Sequence, residues 1–165
     1  MVWPADIGLT CENSGVRVPP GRRAWHAVGM DLAGTGMLHH LELWVPDLTK
    51  AEASWGWLLE NMGYRIYQQW PEGQSWRAGV TYIVIEQSPD RVAGRHDRCR
   101  PGLNHLAFHV GSREELDEIV LHAPDHGWRL LYPDRHPYAG GVDHYAAYLE
   151  NRDGYEVELV APAAT

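Results

Sequence analysis

The stretch LHHLELWV at residues 38–45 returns as LNHLAFHV at residues 103–110, with Leu, His, Leu and Val identical at a constant offset of 65. A chain that repeats itself in this way is built from copies of one supersecondary unit, so the repeat decides the fold before any single element is assigned. After the first copy, PDLTKAEASWGWLLENMGY carries a Thr49/Glu52 capping box, apolar Ala51, Trp55, Leu58, Leu59 and Met62 at helical spacing, and Gly63 as a stop. After the second, GSREELDEIVLHAPDHGW carries Ser112 and Glu115 in the same box, a stripe of Leu116, Ile119, Val120 and Ala123, and Gly127. Three short strand-like runs then follow each helix: YRIYQQW, SWRAG and TYIVIEQ in the first half, WRLLY, HYAAYLE and YEVELVA in the second. Each half therefore reads βαβββ, and the fold class is α+β. The modules span 37–88 and 102–162, joined by a polar, Arg-rich linker at 89–101 that reads as an exposed crossing loop. Residues 1–36, with VRVPPGRRAW and LAGTG, read as an irregular extension, and Met1, Met30 or Met37 is the start.

One helix covers only one face of a four-stranded sheet, so the other face is where function is expected. Side chains alternate along a strand. Leu41, Leu43 and Val45 suit the helix-covered side, which sends His40, Glu42 and Trp44 to the open face and leaves His39 on the covered side or at an edge. In the second copy Leu106, Phe108 and Val110 alternate with His105, Ala107 and His109, so His40 and His105 are symmetry mates. In the last strand Glu156 and Glu158 share the open side. In TYIVIEQ the inward oxygen donor is either Glu86 or Gln87. Two imidazoles with one carboxylate from each module, or one carboxylate and one amide, suit one divalent ion of the Zn, Fe, Mn, Co or Ni group. His109, Trp44, Glu42, Tyr145 and His144 line the pocket or, for Trp44 and Tyr145, serve as edge or dimer packing.

Bulk properties narrow the partners. The chain of 165 residues is 44% hydrophobic and 22% charged, enough for one domain with a core. A net charge of −8, with Lys50 the single lysine, argues against nucleic acid and anionic membranes and leaves small molecules as partners. Cys11 and Cys99 form no disulfide or zinc pattern, which fits a reducing cytoplasm, and no run has the length of a membrane helix. GTG at 34–36 precedes a strand instead of following one, and there is no GxSxG elbow.

HLELWVPD, NHLAFHV and the closing NRDGYEVELV together resemble the vicinal oxygen chelate superfamily, which includes glyoxalases, bleomycin resistance proteins and extradiol dioxygenases. The resemblance covers about residues 37–162. It implies paired modules curled into a half-open barrel around a cleft, commonly in a homodimer. It also implies metal ligands at His40, His105 and Glu158, with Glu86 or Gln87 where the group often supplies a fourth. Glu158 or Glu86 would then move protons for a substrate chelated through adjacent oxygens. Trp44 stands where glutathione-dependent glyoxalases carry an arginine, which argues against that activity. The loop PDRHPYAGGVDHY differs from that of fosfomycin-modifying relatives; it either folds over the pocket, bringing Arg135 and His136 to an anionic substrate, or is an ordinary hairpin connection. The expected activity is isomerase, lyase or transferase chemistry at a metal. The alternatives are an Fe(II) extradiol dioxygenase and a non-catalytic protein that sequesters an aromatic drug or metabolite between Trp44, Trp76 and Tyr82.

Overall fold

The computed structural model describes residues 36–163. The expected extension, and with it Cys11, Met1 and Met30, lies outside them apart from Gly36. Two four-stranded sheets form the frame. In the first, β1 (His40–Trp44), β2 (Arg65–Trp70), β3 (Gly73–Ala78) and β4 (Thr81–Glu86) are ordered β1-β4-β3-β2. In the second, β5 (His105–His109), β6 (Trp128–Leu130), β7 (Ala146–Asn151) and β8 (Glu156–Val160) are ordered β5-β8-β7-β6. The first strand of each module lies parallel to its last, and the other pairs are antiparallel. The expected pair of βαβββ modules is therefore present, and both sheets are open.

The helices follow the apolar stripes. In the first module α1 (Leu48–Ala51) passes through a π-helical turn (Glu52–Gly56) into α2 (Trp57–Asn61). Ala51, Trp55, Leu58 and Leu59 are fully buried. At Gly56 an added Cβ would stand 3.1 Å from the Trp76 ring, so the bare backbone lets the helical segment lie on β3. Trp76 is thus a core residue and not a pocket wall. The expected Thr49 cap is corrected: Asp47 caps α1, its carboxylate accepting from the Lys50 amide at 3.1 Å. In the second module Ser112 caps α3 (Arg113–His122) as expected, accepting from the Glu115 amide at 3.1 Å. Pro124 lies in the 3₁₀ turn that follows, and Gly127, at φ +81°, ends it in a conformation that favours glycine.

One hydrophobic cluster joins the two modules. Trp55 meets Trp128 edge-on with centroids 5.0 Å apart, and the Trp128 indole N–H donates to the Ser54 carbonyl at 3.0 Å. The Tyr155 hydroxyl donates to the Trp44 carbonyl at 2.6 Å, tying β1 to the start of the last strand. The linker is exposed over most of its length, as expected, with His96 and Arg98 turned toward the body. The His96 ring stacks on Tyr155 at 4.5 Å, and Arg98 bonds Glu156 at 2.8 Å.

Candidate metal centre

In the second module the strand register builds the site. His105 is paired with Glu156 and Ala107 with Glu158, while Tyr148 of β7 lies opposite Glu158 on the other side. Alternation puts His105, Ala107, Tyr148, Glu156 and Glu158 on the open face, with Phe108, Val157 and Leu159 turned to the core. His105 Nε2 lies 3.2 Å from Glu158 Oε2. His144 Nε2 lies 2.6 Å from Glu158 Oε1, and the Tyr148 hydroxyl donates to the same oxygen at 2.6 Å. Burial alone would raise the Glu158 pKa, but the Tyr148 and His144 hydrogen bonds outweigh it and hold the carboxyl below its ordinary value. Burial, then the bond to Glu158, pushes the Tyr148 phenol far above its ordinary value, so at neutral pH it stays protonated and donates to Glu158.

The imidazole of His105 is oriented from behind. Asn104 donates its amide N–H to the Arg98 carbonyl at 3.0 Å, which turns Oδ1 toward His105 Nδ1 at 2.7 Å. His105 Nδ1 is then the donor, and Nε2 faces Glu158. The first module repeats this arrangement, with His39 Nδ1 2.8 Å from His40 Nδ1. His39 holds the place of Asn104, which accounts for the paired histidines.

In the first module the His40 ring stacks on Tyr82 at 4.9 Å, and Tyr82 also meets Tyr67 at 5.5 Å. Here the register corrects an expectation. His40 pairs with Tyr82, Glu42 with Val84 and Trp44 with Glu86, so Val84 holds the place that Glu158 holds in the second module. Glu86 shares the open face with Tyr82 but lies two residues beyond that place. Gln87 is used elsewhere, its side-chain oxygen accepting from the Leu48 amide at 2.8 Å at the start of α1.

The remaining candidates divide. Glu42 accepts from the Trp44 indole at 2.6 Å, an exposed local pair. His109 is exposed, at the end of β5 four residue pairs beyond His105. Tyr145 is a structural anchor: its hydroxyl donates to Asp117 at 2.9 Å and Arg113 lies over its ring. Arg135 lies over the Tyr132 ring at 4.8 Å, and Tyr132 in turn meets Tyr148 edge-on. His136 has a buried Nδ1 with no hydrogen-bond partner among the described residues. Tyr148 and Asn104 escape the sequence reading, and His144 enters it only as a pocket-lining residue. Carrying the alternation of β8 across to β7 finds Tyr148 on the Glu158 side and, four residues back, His144.

Gly140 lets the loop close on this cluster. A Cβ there would stand 2.6 Å from His144 Cδ2 and 2.7 Å from the Tyr148 hydroxyl oxygen. Gly140→Ala is expected to displace His144 from Glu158 and lower stability by about 1–3 kcal/mol, the range for overpacking. The checks are a thermal melt and the histidine NMR resonances, in which the His144 signal should move.

The sequence profile of the glyoxalase/bleomycin resistance protein/dioxygenase superfamily matches residues 39–148. The chain belongs to that superfamily. Similar to it is the Bacillus subtilis protein YqjT, itself uncharacterized, 46% identical over 127 residues that cover 76% of this chain and 99% of that one. A Bacillus halodurans protein provisionally designated a glyoxalase is 47% identical and superposes with a TM-score of 0.75, covering 79% of this chain and 99% of its own. Lactoylglutathione lyase from Agrobacterium tumefaciens, 19% identical with a TM-score of 0.53 over 76% of this chain and 93% of its own, shares the fold.

Metal binding is common in this superfamily, and the donors present can be judged against it. Two imidazole nitrogens and an ionised carboxylate suit a borderline divalent ion. Among the described residues, however, no group of three or more His, Cys, Asp and Glu side chains surrounds a point that an ion would take. The carboxylate of Glu158 itself fills the space between the imidazoles, and no hydrogen bond or ring contact links the His40 set to it. The donor chemistry suits such an ion, whereas the side chains as placed contact one another and surround no ion position.

Proposed function

We propose that the protein is a metal-dependent enzyme that acts on a small oxygenated molecule by isomerase, lyase or transferase chemistry. The observation that carries the reading is the ionised Glu158 carboxylate set between His105 Nε2 and His144 Nε2, with His105 oriented by Asn104. His105 and Glu158 are the resident ligands of the second module. A bound divalent ion supplies Lewis acidity to a substrate that reaches it through adjacent oxygens. The chain's own residues then do the proton work. Tyr148 keeps Glu158 Oε1 occupied, leaving Oε2 as the oxygen that takes a proton from the substrate. Arg98 pairs with Glu156, the neighbouring carboxylate on the same strand, at 2.8 Å.

His40 completes the cleft from the first module of a second copy. Exposed Trp44, Ile66 and Tyr67, at 41%, 52% and 45%, support a dimer built on this part of the first sheet. Glu86, opposite Trp44, stands at the far end of that face as a second proton-handling group, with Tyr82 as a wall. Among the described residues no helix is long and apolar enough to cross a membrane. The placement in the cytoplasm rests on the cysteine usage, two residues with no disulfide framework. A second reading, Fe(II)-dependent ring cleavage, is favoured by Val84: without a carboxylate there, the set reduces to two imidazoles and one carboxylate, the composition of a facial triad.

Elemental analysis is the test. Purified wild-type protein is expected to hold close to one transition-metal ion per chain, and His105→Ala to lose it. Metal in neither would overturn the proposal, and chelator-insensitive binding of an aromatic ligand without turnover would replace it with sequestration. Oxygen uptake with a catechol after anaerobic iron loading selects the ring-cleaving reading.

A further inference from the structure

We propose that a second site, apart from the Glu158 cluster, binds a phosphate dianion, free or as the terminal group of a small molecule. It lies in the cleft between the linker, β6 and the turn at 151–154, where the guanidinium groups of Arg95, Arg129 and Arg152 hold the anion. The cleft has a volume of about 460 Å³, and Asn151, Glu150 and Trp128 complete its wall. None of the residues of the Glu158 cluster lines it, and it needs no metal ion, so it stands or falls independently of the reading above.

Three separate elements bring the arginines together. Arg129 stands on the edge strand β6, and Arg152 lies in the turn after β7. Arg95 comes from the linker, which is strapped to that turn: the His96 amide donates to the Asp153 carbonyl at 2.9 Å. Gly154, at φ +88°, is the condition for the strap, since a Cβ there would collide with the His96 carbonyl oxygen. The counter-charges are unevenly shared. Glu150 accepts from Arg129 Nε at 3.0 Å and lies 3.6 Å from Arg98. Arg95 and Arg152 have no carboxylate within 4.0 Å among the described residues. A chain of net charge −8 thus turns two unpaired guanidinium groups into one cleft, where an anion relieves their mutual repulsion.

Asn151 is the second, independent observation. It is 3% exposed, and its side-chain oxygen accepts from the amides of Asp153 and Tyr155, both at 3.0 Å. The other arm of the amide, Nδ2, is buried without a hydrogen-bond partner among the described residues. A buried donor left without an acceptor is uncommon in a native protein, and an acceptor in the cleft that Asn151 lines answers it. Phosphate suits the arrangement better than carboxylate. A carboxylate has two oxygens in one plane and is filled by one or two guanidinium forks, whereas a phosphate offers three terminal oxygens to donors that arrive from three elements. The negative charge of the whole chain works against a long polyanion and leaves a small one.

The test is calorimetric titration of the full chain with inorganic phosphate and with glycerol phosphate at constant ionic strength, before and after passage over a chelating resin. Saturable binding in the millimolar range or tighter is expected, unchanged by the resin. Arg95→Gln and Arg152→Gln are each expected to weaken it at least about tenfold, the loss that follows removal of one charge-assisted hydrogen bond. Both side chains are exposed, so the fold should persist, which near-ultraviolet circular dichroism checks. Arg77→Gln removes the same charge from an exposed position on β3 and is expected to bind phosphate as the wild type does. Tighter binding of the ester assigns the site to a phosphorylated small molecule, and equal affinity assigns it to free phosphate; either supports the proposal. No saturable binding by the wild type overturns it, as does an equal loss in Arg77→Gln, which would reduce the effect to general charge. Binding abolished by the resin would put the phosphate on a metal ion and overturn it too, while leaving metal dependence standing.

Discussion

Trp128→Ala is expected to destabilise the protein by about 3–5 kcal/mol, the range for deleting a buried tryptophan, and to lower the midpoint of thermal unfolding by roughly 10–15 °C. Trp128 is 1% exposed and stands on β6, the edge strand of the second sheet, yet its ring packs edge-on against Trp55 from the helical segment of the first module. Its indole N–H is also the donor to the Ser54 carbonyl. That carbonyl lies in the π-helical turn, where the regular ladder is interrupted, so the side chain supplies a partner to the backbone. Truncation removes the contact area and orphans a buried acceptor at once. Trp128→Phe keeps the ring contact and loses only the hydrogen bond, so about 1 kcal/mol is expected from it. Denaturant melts of both variants check the pair: a loss under about 1 kcal/mol for Trp128→Ala would mean that the two modules do not share one cooperative core.

The fold was legible because the repeat and the alternation agree. LHHLELWV and LNHLAFHV marked the first strand of each module, and the stripes through Trp55, Leu58 and Leu59 and through Leu116 and Ile119 marked the helices; all five are buried. The site was legible only as far as strand periodicity reaches. Alternation put His105 and Glu158 on one face, and their contact depends on register, which for parallel strands separated by three other elements has no local signal. The same limit explains Val84: TYIVIEQ contains a conspicuous Glu86, and only the pairing of Glu42 with Val84 shows that the carboxylate lies too far along. The cap of α1 was missed for a simpler reason. Asp47 and Thr49 are both good N-cap residues two positions apart, and the choice rests on where the strand ends. His144 and Tyr145 were indistinguishable as sequence, since adjacent residues on an extended segment face opposite ways. Asp117 and Arg113 on α3 claim Tyr145, which sends His144 to Glu158.

The two modules have consequently diverged around a common frame. Each keeps a histidine on its first strand and a polar residue before it that fixes the ring, His39 in one and Asn104 in the other. Beyond that, the first presents Tyr67, Tyr82 and Val84, an aromatic and apolar face, while the second collects Glu158, His144, Tyr148 and, through Arg98, Glu156. The hydrogen-bonded polar side chains are thus concentrated in the second module, and the stacked aromatic ones in the first.

Glu158→Gln is therefore expected to be the most damaging single change to the site, at least about 100-fold in metal affinity, since loss of groups that merely support ligands already removes 10–100-fold. Glutamine conserves shape and still accepts from the Tyr148 hydroxyl, so the fold should persist. What disappears is the negative charge between His105 and His144. The metal-free protein offers a second readout with a fixed sign. The Glu158 carboxyl is held below its ordinary value in the folded state, so its contribution to stability is complete above the unfolded pKa, about 4.3, and is lost as pH falls through the lower folded value. Stability of Glu158→Gln measured by denaturant titration should accordingly fall less steeply than that of the wild type on the acid side of that value. Glu156→Gln is the control. Burial raises the Glu156 pKa against the pull of Arg98, the opposite direction, so as pH falls this carboxyl protonates first and its loss does not reproduce the Glu158 acid limb. If Glu158→Gln and Glu156→Gln lowered metal affinity equally, the effect would be one of general charge in the cleft, and Glu158 would have no special claim to the ion.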